Sequence, residues 1–405
     1  MNERKLRIAV QGCCHGELNK VFATVADMHK RTPIDLLIIL GDFQSIRDNS
    51  DFQSISIPPK YQKLGDFHAY YENDYYRAPV FTIVIGGNHE SMRHLMQLPY
   101  GGYLANNIYY MGYSGVVWFK GFRIAALSGI WKEWDFEKKR PSWKFLEENN
   151  KWKDSVRQLY HIRKDDVAPL FALSDNIDIC LSHDWPSGVV HYGNVKQLLK
   201  YKPFFEKDIK SGKLGNPIAW KLLTNLKPRW WFSAHLHVKY EAEITHNKRR
   251  LADSKGAKKL KSNSDEIELN LDDESSLDLS CHDDSLDSAE HTRFLSLDKC
   301  MPRRKWLEIV EIEKRYDSIP QGLDCDKMYW DPSYIIALQN LEKQSRLVAD
   351  TPFNEIIWSR FSSGHIDDIN WHKYEIPKYE SGLQRDEASQ TNYFLSKHML
   401  SKGSR

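Results

Sequence analysis

Five stretches of this sequence gather the side chains that metal ions prefer: Cys13-x-His15, Gly41-Asp42, Gly87-Asn88-His89-Glu90, Ser182-His183-Asp184 and Ala234-His235-x-His237. A thiol, a carboxylate, an amide and several imidazoles together suit borderline transition metals better than Mg²⁺ or Ca²⁺, which take oxygen. The two-residue spacing in Cys13/His15 and His235/His237 puts both side chains of a pair on one face of an extended backbone. Each pair could then grip one ion or two neighbouring ones. Asp42, with two oxygens, could bridge ions roughly 3.5–4 Å apart, the separation found in two-metal hydrolases. One Asp or His of this kind is usually a cap or a satisfied core residue, but five in succession point to a metal site.

These residues need strands to hold them. Six segments share one layout, a short apolar run followed at once by polar residues: "LRIAVQGCCHG", "IDLLIILGDFQ", "VFTIVIGGNHE", "FRIAALSGI", "IDICLSHDWP" and "PRWWFSAHLHV". Runs this short, rich in Ile, Val and Leu, read as buried strands. Helix-like stretches such as 16–31 and 194–200 separate several of them, which predicts an α/β sheet. In open sheets of that class, ligands bind at the carboxyl ends of the strands, where these residues sit.

Composition narrows the class further. The chain has 405 residues, enough for two or three domains, and six cysteines, at 13, 14, 180, 281, 300 and 325. Cys13 and Cys14 are adjacent, and so few cysteines in so long a chain are not a disulfide framework. That is the usage of a reducing compartment. The N-terminus "MNERKLRIAV" lacks the apolar core of a secretory signal. No apolar run approaches the roughly 20 residues needed to span a bilayer, so a soluble intracellular protein is expected.

Residues 265–290 carry eleven Asp or Glu and no Lys or Arg, and setting them aside turns the net +2 into +13. A basic body with 13 Trp and 20 Tyr suits a polyanionic partner with stacking bases, and equally a solvated surface over a large aromatic core.

The sequence divides accordingly. A first domain is expected over 1–242. Residues 243–292 break its pattern: a basic stretch, Lys248 to Lys261, runs into a Ser- and Asp-rich acidic one, a composition that predicts a disordered insert. Order should resume at "TRFLSLDKCMPRRKWLEIVEI", read as strand, basic turn, strand, and continue to about 380 through the helix pattern "PSYIIALQNLEKQSRL". Residues 381–405 read as a polar tail.

The five motifs, in order and content, resemble the calcineurin-like metallophosphoesterase superfamily, with Cys13 where that pattern usually has Asp and Ala234 where it usually has Gly. A narrower resemblance fits the first departure. The RNA lariat debranching enzymes carry Gly-Cys-x-His at that place, and this sequence is also similar to them in "PPKYQKLGDFHAYYE", "LPYGGYLANNIYYMGYSGVV", "LSHDWP" and "LDKCMPRRKWLEI". The likeness runs from about residue 6 to 240 and resumes at 292–312.

The resemblance implies a β-sandwich flanked by helices, with a smaller C-terminal region. It implies two metal positions, one of Cys13, His15, Asp42 and His237 and one of Asp42, Asn88, His183 and His235. His89 directly follows a ligand without being one, which makes it the natural general acid; Asp184 is read either as orienting an imidazole from behind or as a turn residue before Trp185-Pro186. The metal would be Fe²⁺, Zn²⁺ or Mn²⁺, as one or two ions; the Cys13 thiolate favours Zn²⁺ or Fe²⁺ over Mg²⁺.

The implied substrate is branched intron RNA, cut at its 2′–5′ phosphodiester, with the nucleus as the expected location and the cytoplasm as a second. Residues 129–160 would form a lariat-recognition loop in which Trp131, Trp134, Trp143 and Trp152 stack on bases while Lys139, Arg140 and Arg157 meet phosphates. Without the resemblance, the same pattern reads as an amphipathic helix packing its Trp side chains. A protein phosphatase of the superfamily usually has Arg before the Asn-His-Glu motif, where this sequence has Gly86 and Gly87. A non-catalytic RNA-binding scaffold would have no need of the complete motif set.

Overall fold

The computed structural model describes residues 5–173, 177–246, 290–314, 319–364, 366, 368–379 and 386–399. Five strands come first: β1 (Lys5–Gln11), β2 (Leu36–Ile39), β3 (Thr82–Val84), β4 (Gly102–Ala105) and β5 (Ile108–Tyr110). Then follow β6 (Ser114–Phe119), β7 (Phe122–Leu127), β8 (Ile179–Ser182), β9 (Trp230–Ser233), β10 (Tyr240–His246), β11 (Glu290–Ser296), β12 (Leu307–Glu313) and β13 (Met328–Trp330). They form two sheets, ordered β12-β1-β2-β3-β5-β4 and β10-β11-β9-β8-β7-β6-β13. All six segments expected to be strands are strands. They fall into two sheets rather than the single sheet that their pattern alone suggested.

The β2 sequence "LLII" explains the layering. Leu36 and Ile38 point into the space between the sheets, against Ile124, Ile179 and Phe232. Leu37 and Ile39 point the other way, onto Leu18, Val21 and Val25 of the helix Leu18–Arg31. Burial on both faces is why such runs show no alternation, and each fully buried Leu or Ile stabilises the fold by roughly 1.5–3 kcal/mol. The inner strands β1–β2–β3 and β7–β8–β9 run parallel within their sheets, so the two sets of carboxyl ends supply the motif loops.

Two boundaries differ from expectation. The strands enter the span assigned to the insert from both sides, since β10 runs to His246 and β11 starts at Glu290, paired antiparallel in register. The expectation of disorder for the rest of 243–292 lies outside the described residues. In 293–380, where strands completing the core and a C-terminal family domain are expected, β11 lies parallel to β9 and β12 antiparallel to β1, one strand in each sheet. Finally, the tail expected over 381–405 contains the helix Glu387–His398. Its Phe394 stacks on Tyr100 at 4.6 Å and Gln390 bonds both backbone groups of Tyr103. A helix anchored by one ring and a few polar groups has no apolar stripe to read.

Because His246 and Glu290 pair at the end of the edge strand β10, a short turn could join them. Replacing residues 249–287 by a two-residue Asn-Gly turn is expected to keep turnover within two-fold and to leave stability unchanged or raised by up to about 2 kcal/mol, since loop closure costs grow with length. Denaturant unfolding beside a turnover assay checks this; loss of folding or of most activity would give the segment a structural role.

Candidate metal centre

The motif loops follow β1, β2, β3, β8 and β9 and converge at one end of the sandwich. The expectation that His15 and His235/His237 project from extended strands is corrected by the backbone. β1 ends at Gln11 and β9 at Ser233, and His15, Asp42, His235 and His237 adopt φ of 54°, 48°, 59° and 49°. Four left-handed non-glycine residues in one site mark backbone held by its surroundings. His15 N–H donates to the Asp42 carbonyl at 2.6 Å, Cys14 N–H to the Gly41 carbonyl at 3.3 Å, and Trp185 Nε1 to the Ala234 carbonyl at 2.8 Å.

Two glycines are required here by close approach. A Cβ on Gly41 would collide with His183 Nδ1, and one on Gly87 with the Asp42 carboxylate.

The donors form two groups sharing Asp42. In the first, donor atoms of Cys13, His15, Asp42 and His237 all lie within 4.8 Å of one another. His15 Nε2 is 3.2 Å from His237 Nε2 and 3.7 Å from Asp42 Oδ2. In the second, His183 Nε2 is 3.3 Å from Asn88 Oδ1 and 3.5 Å from Asp42 Oδ1, with the His235 ring 5.1 Å from that of His183.

His183 Nδ1–H donates to the Leu40 carbonyl at 2.6 Å, so its Nε2 presents a lone pair to oxygens that also present lone pairs. Acceptors facing acceptors in a buried site need a cation between them, and the donor set fits a divalent transition metal.

Electrostatics agree. Burial drives His15, His183 and His235 below their ordinary values and takes His237 down to about 3, leaving neutral imidazoles. Burial opposes ionisation of Asp42, but His183, His15, His89 and His235 outweigh it and hold the carboxyl well below the usual range. Burial, then Asp42, pushes the Cys13 thiol up, against the His235 backbone N–H directed at its sulfur. A cation beside Cys13 inverts that balance and makes the thiolate the ligand form.

His89 stands next to this centre without joining it. Its Nδ1–H donates to the Ser56 carbonyl at 2.9 Å, its backbone N–H donates to Asp42 Oδ1 at 2.9 Å, and its ring is 5.7 Å from that of His15. Nε2 is therefore available for proton transfer.

The Asp184 carboxylate accepts the backbone N–H groups of Trp131 and Trp185 at 3.1 and 3.0 Å, tying the 129–160 region to the His183 strand end as a turn residue would, and it also interacts electrostatically with His235.

The RNA-contact set expected in 129–160 splits. Trp134, Lys139 and Arg157 are exposed; Trp131 and Trp143 are half-buried. Trp152 and Arg140 are corrected to structural roles. Trp152 is 1 % exposed and donates Nε1–H to Glu147, which also pairs with Arg93. The Arg140 guanidinium lies 3.7 Å from the Tyr113 ring, pairs with Asp166 at 2.8 Å and donates to the Leu159 and His161 carbonyls. Alternating Trp and Lys/Arg in sequence cannot distinguish the two faces of these short helices, Trp143–Glu148 and Trp152–Leu159.

Glu90, the last residue of the Gly87-Asn88-His89-Glu90 motif, braces the site from behind. Its buried carboxylate accepts backbone N–H groups from Phe43, Gln44 and Gly87, at 2.8, 2.8 and 2.9 Å, clamping the Asp42 loop to the Asn88 loop. Burial and the Asp42 charge push it up to about 7, against those three bonds. Its place three residues beyond Gly87 was the available signal. Glu90→Gln is expected to lower stability by about 1–3 kcal/mol, because an amide NH₂ would face a backbone donor. Thermal unfolding checks this, and an unchanged midpoint would remove the clamp.

A two-sheet sandwich whose strand ends carry this donor set around a shared aspartate defines a metallophosphoesterase. Residues 6–239 match the calcineurin-like phosphoesterase family model, and residues 289–368 match that of the lariat debranching enzyme C-terminal domain. The chain is 56% identical over 404 residues to a lariat debranching enzyme of Saccharomyces cerevisiae, covering 98% of this chain and 99% of that one. It is 42% identical over 326 residues to the human lariat debranching enzyme, covering 79% of this chain and 52% of that one, so it spans about half the human relative's length. A Schizosaccharomyces pombe lariat debranching enzyme is 41% identical over 388 residues, covering 86% of this chain and 81% of that one. The chain belongs to the lariat debranching enzyme family.

Proposed function

We propose that this protein hydrolyses the 2′–5′ phosphodiester at the branch adenosine of intron lariats, leaving a 2′-hydroxyl on the branch nucleotide and a 5′-phosphate on the released strand. The observation that carries this reading is the complete donor set around Asp42, with His89 Nε2 unengaged beside it, in a chain so similar over its full length to a relative of that name. A bound divalent metal lowers the pKa of water and offsets charge on the phosphoryl oxygens. The protein's own part is to hold Asp42 between the two donor groups, to keep the imidazoles neutral, and to place His89 where the departing 2′ oxygen needs a proton. The soft thiolate at Cys13 supports Zn²⁺ or Fe²⁺ in that position, with Mn²⁺ next. Such a substrate argues for action in the nucleus. No helix among the described residues is long and apolar enough to cross a membrane.

Incubating the purified full chain with a branched oligonucleotide tests the reading. Cleavage should occur at the 2′–5′ bond, with 3′–5′ bonds intact and metal content measured in parallel. Cutting at 3′–5′ bonds to the same extent, or turnover of phosphoprotein alone, would overturn it.

The exposed remainder of 129–160 supports base stacking by Trp134, which is 63% exposed with the Lys132 ammonium 5.6 Å from its ring. Trp134→Ala is expected to raise KM for branched RNA about 5–30-fold, the worth of one stacked base. Its melting temperature should not move. A fall in melting temperature with KM unchanged would make Trp134 a packing residue.

A further inference from the structure

The segment that crosses from β11 to β12 lies against the Cys13 loop. Cys300 N–H donates to the Cys13 carbonyl and Gly12 N–H to the Trp306 carbonyl, both at 3.0 Å. This places Lys299, one residue before Cys300, at the rim of the Cys13/His15/His237 group. Lys299 is half-buried and has no ion pair among the described residues, since the neighbouring Asp298 pairs with Arg304 at 3.0 Å.

A second element completes the cluster. Lys202 follows the helix Val195–Tyr201 and interacts electrostatically with Asp298, Arg304 and Lys299. Three cations thus share one carboxylate. On either side of Lys202 stand Tyr201 and Phe204, each 68% exposed, and the Lys202 ammonium is 5.8 Å from the Phe204 ring. Exposed rings beside under-neutralised cations are what single-stranded nucleic acid uses: bases stack on the rings while phosphates meet the charges.

We propose that Lys202, Lys299 and Arg304, with the rings of Tyr201 and Phe204, bind single-stranded RNA at the Cys13 side of the metal centre, holding one arm of the branched substrate. This rests on the debranching reading and extends it. The cluster lies on the β11–β12 crossover and the Val195–Phe205 region, outside residues 129–160, so the substrate would be held from two directions.

The test uses the full chain and three substrates: a branched oligonucleotide with long arms, one trimmed to a nucleotide per arm, and bis(p-nitrophenyl) phosphate. Lys202→Ala, Lys299→Ala and the double variant Tyr201→Ala/Phe204→Ala are compared with wild type between 50 and 200 mM salt. KM for the long-arm substrate should rise about ten-fold in each, the salt slope should fall by about 0.7 for each lysine removed, and one to two bases of stacking should be lost in the double variant. Turnover of the trimmed substrate and of bis(p-nitrophenyl) phosphate should stay within two-fold.

Unchanged KM for long arms overturns the site. So does parallel loss on bis(p-nitrophenyl) phosphate, which would make these residues part of the metal centre's structure. A wild-type protein that cleaves bis(p-nitrophenyl) phosphate but leaves both branched substrates intact would instead overturn the debranching reading.

Discussion

Replacing His89 by alanine is expected to lower turnover of branched RNA about 10²–10⁴-fold, the usual worth of a positioned general acid, while metal content and RNA affinity stay at wild-type values. The separation of effects follows from which atoms do what. Residue 89 meets the metal centre through its backbone N–H, bonded to Asp42 Oδ1, and alanine keeps that bond. Among the described residues, the hydrogen bond of the imidazole is to the Ser56 carbonyl, through Nδ1. That bond orients the ring and leaves Nε2 to give a proton to a departing 2′ oxygen, which is too basic to leave as an alkoxide. A p-nitrophenolate leaves without such help. The variant should therefore lose far less on bis(p-nitrophenyl) phosphate than on branched RNA. Equal loss on both substrates, or loss of metal, would make His89 a ligand.

What was legible in the sequence follows from what each element is made of. Strands β1, β2, β3, β7, β8 and β9 could be read because burial on both faces leaves unbroken Ile, Val and Leu runs. The metal donors could be read because few other arrangements put a thiol, a carboxylate, an amide and imidazoles at successive strand ends. The manner of convergence could not. His15, His235 and His237 turn inward through left-handed backbone, held where the Gly41 and Asp42 carbonyls accept from Cys14 and His15 and where Trp185 donates to Ala234, bonds that join residues distant in sequence.

The same limit explains residues 129–160 and the C-terminal helix. Arg140 and Trp152 are residue types that suit RNA, yet Tyr113, Asp166, Arg93 and Glu147 claim the space around them. Glu387, in a stretch read as polar, has its Oε1 3.0 Å from His94 Nε2, a contact between residues far apart in the sequence. Composition shows what a side chain can do. Which partner reaches it first is decided by packing.

Cys13 brings both levels together. Cys13→Ser is expected to weaken metal affinity by at least about 10²-fold, more than the 10–100-fold that outer partners of a metal ligand cost, because a neutral hydroxyl is a poor donor. Cys13→Asp should restore binding but shift preference from Zn²⁺ or Fe²⁺ toward Mn²⁺ or Mg²⁺, carboxylate being harder than thiolate.

The neighbouring thiol is the control. Cys13 lies with the residues between the sheets, whereas Cys14 lies with those on the other side, against Leu18 and Val21. Cys14→Ser should thus disturb packing against the helix Leu18–Arg31 and leave metal preference alone. Elemental analysis of the three variants, loaded from equal mixtures of the metals, separates these outcomes without reference to activity. Mild peroxide adds a second readout: inactivation of wild type should be reversed by thiol only while oxidation stops at sulfenate or a disulfide, and Cys13→Asp should resist it. If Cys14→Ser reproduces the metal profile of Cys13→Ser, or neither alters it, the sulfur is not a ligand. The soft-metal preference would then have to come from the four imidazoles around Asp42.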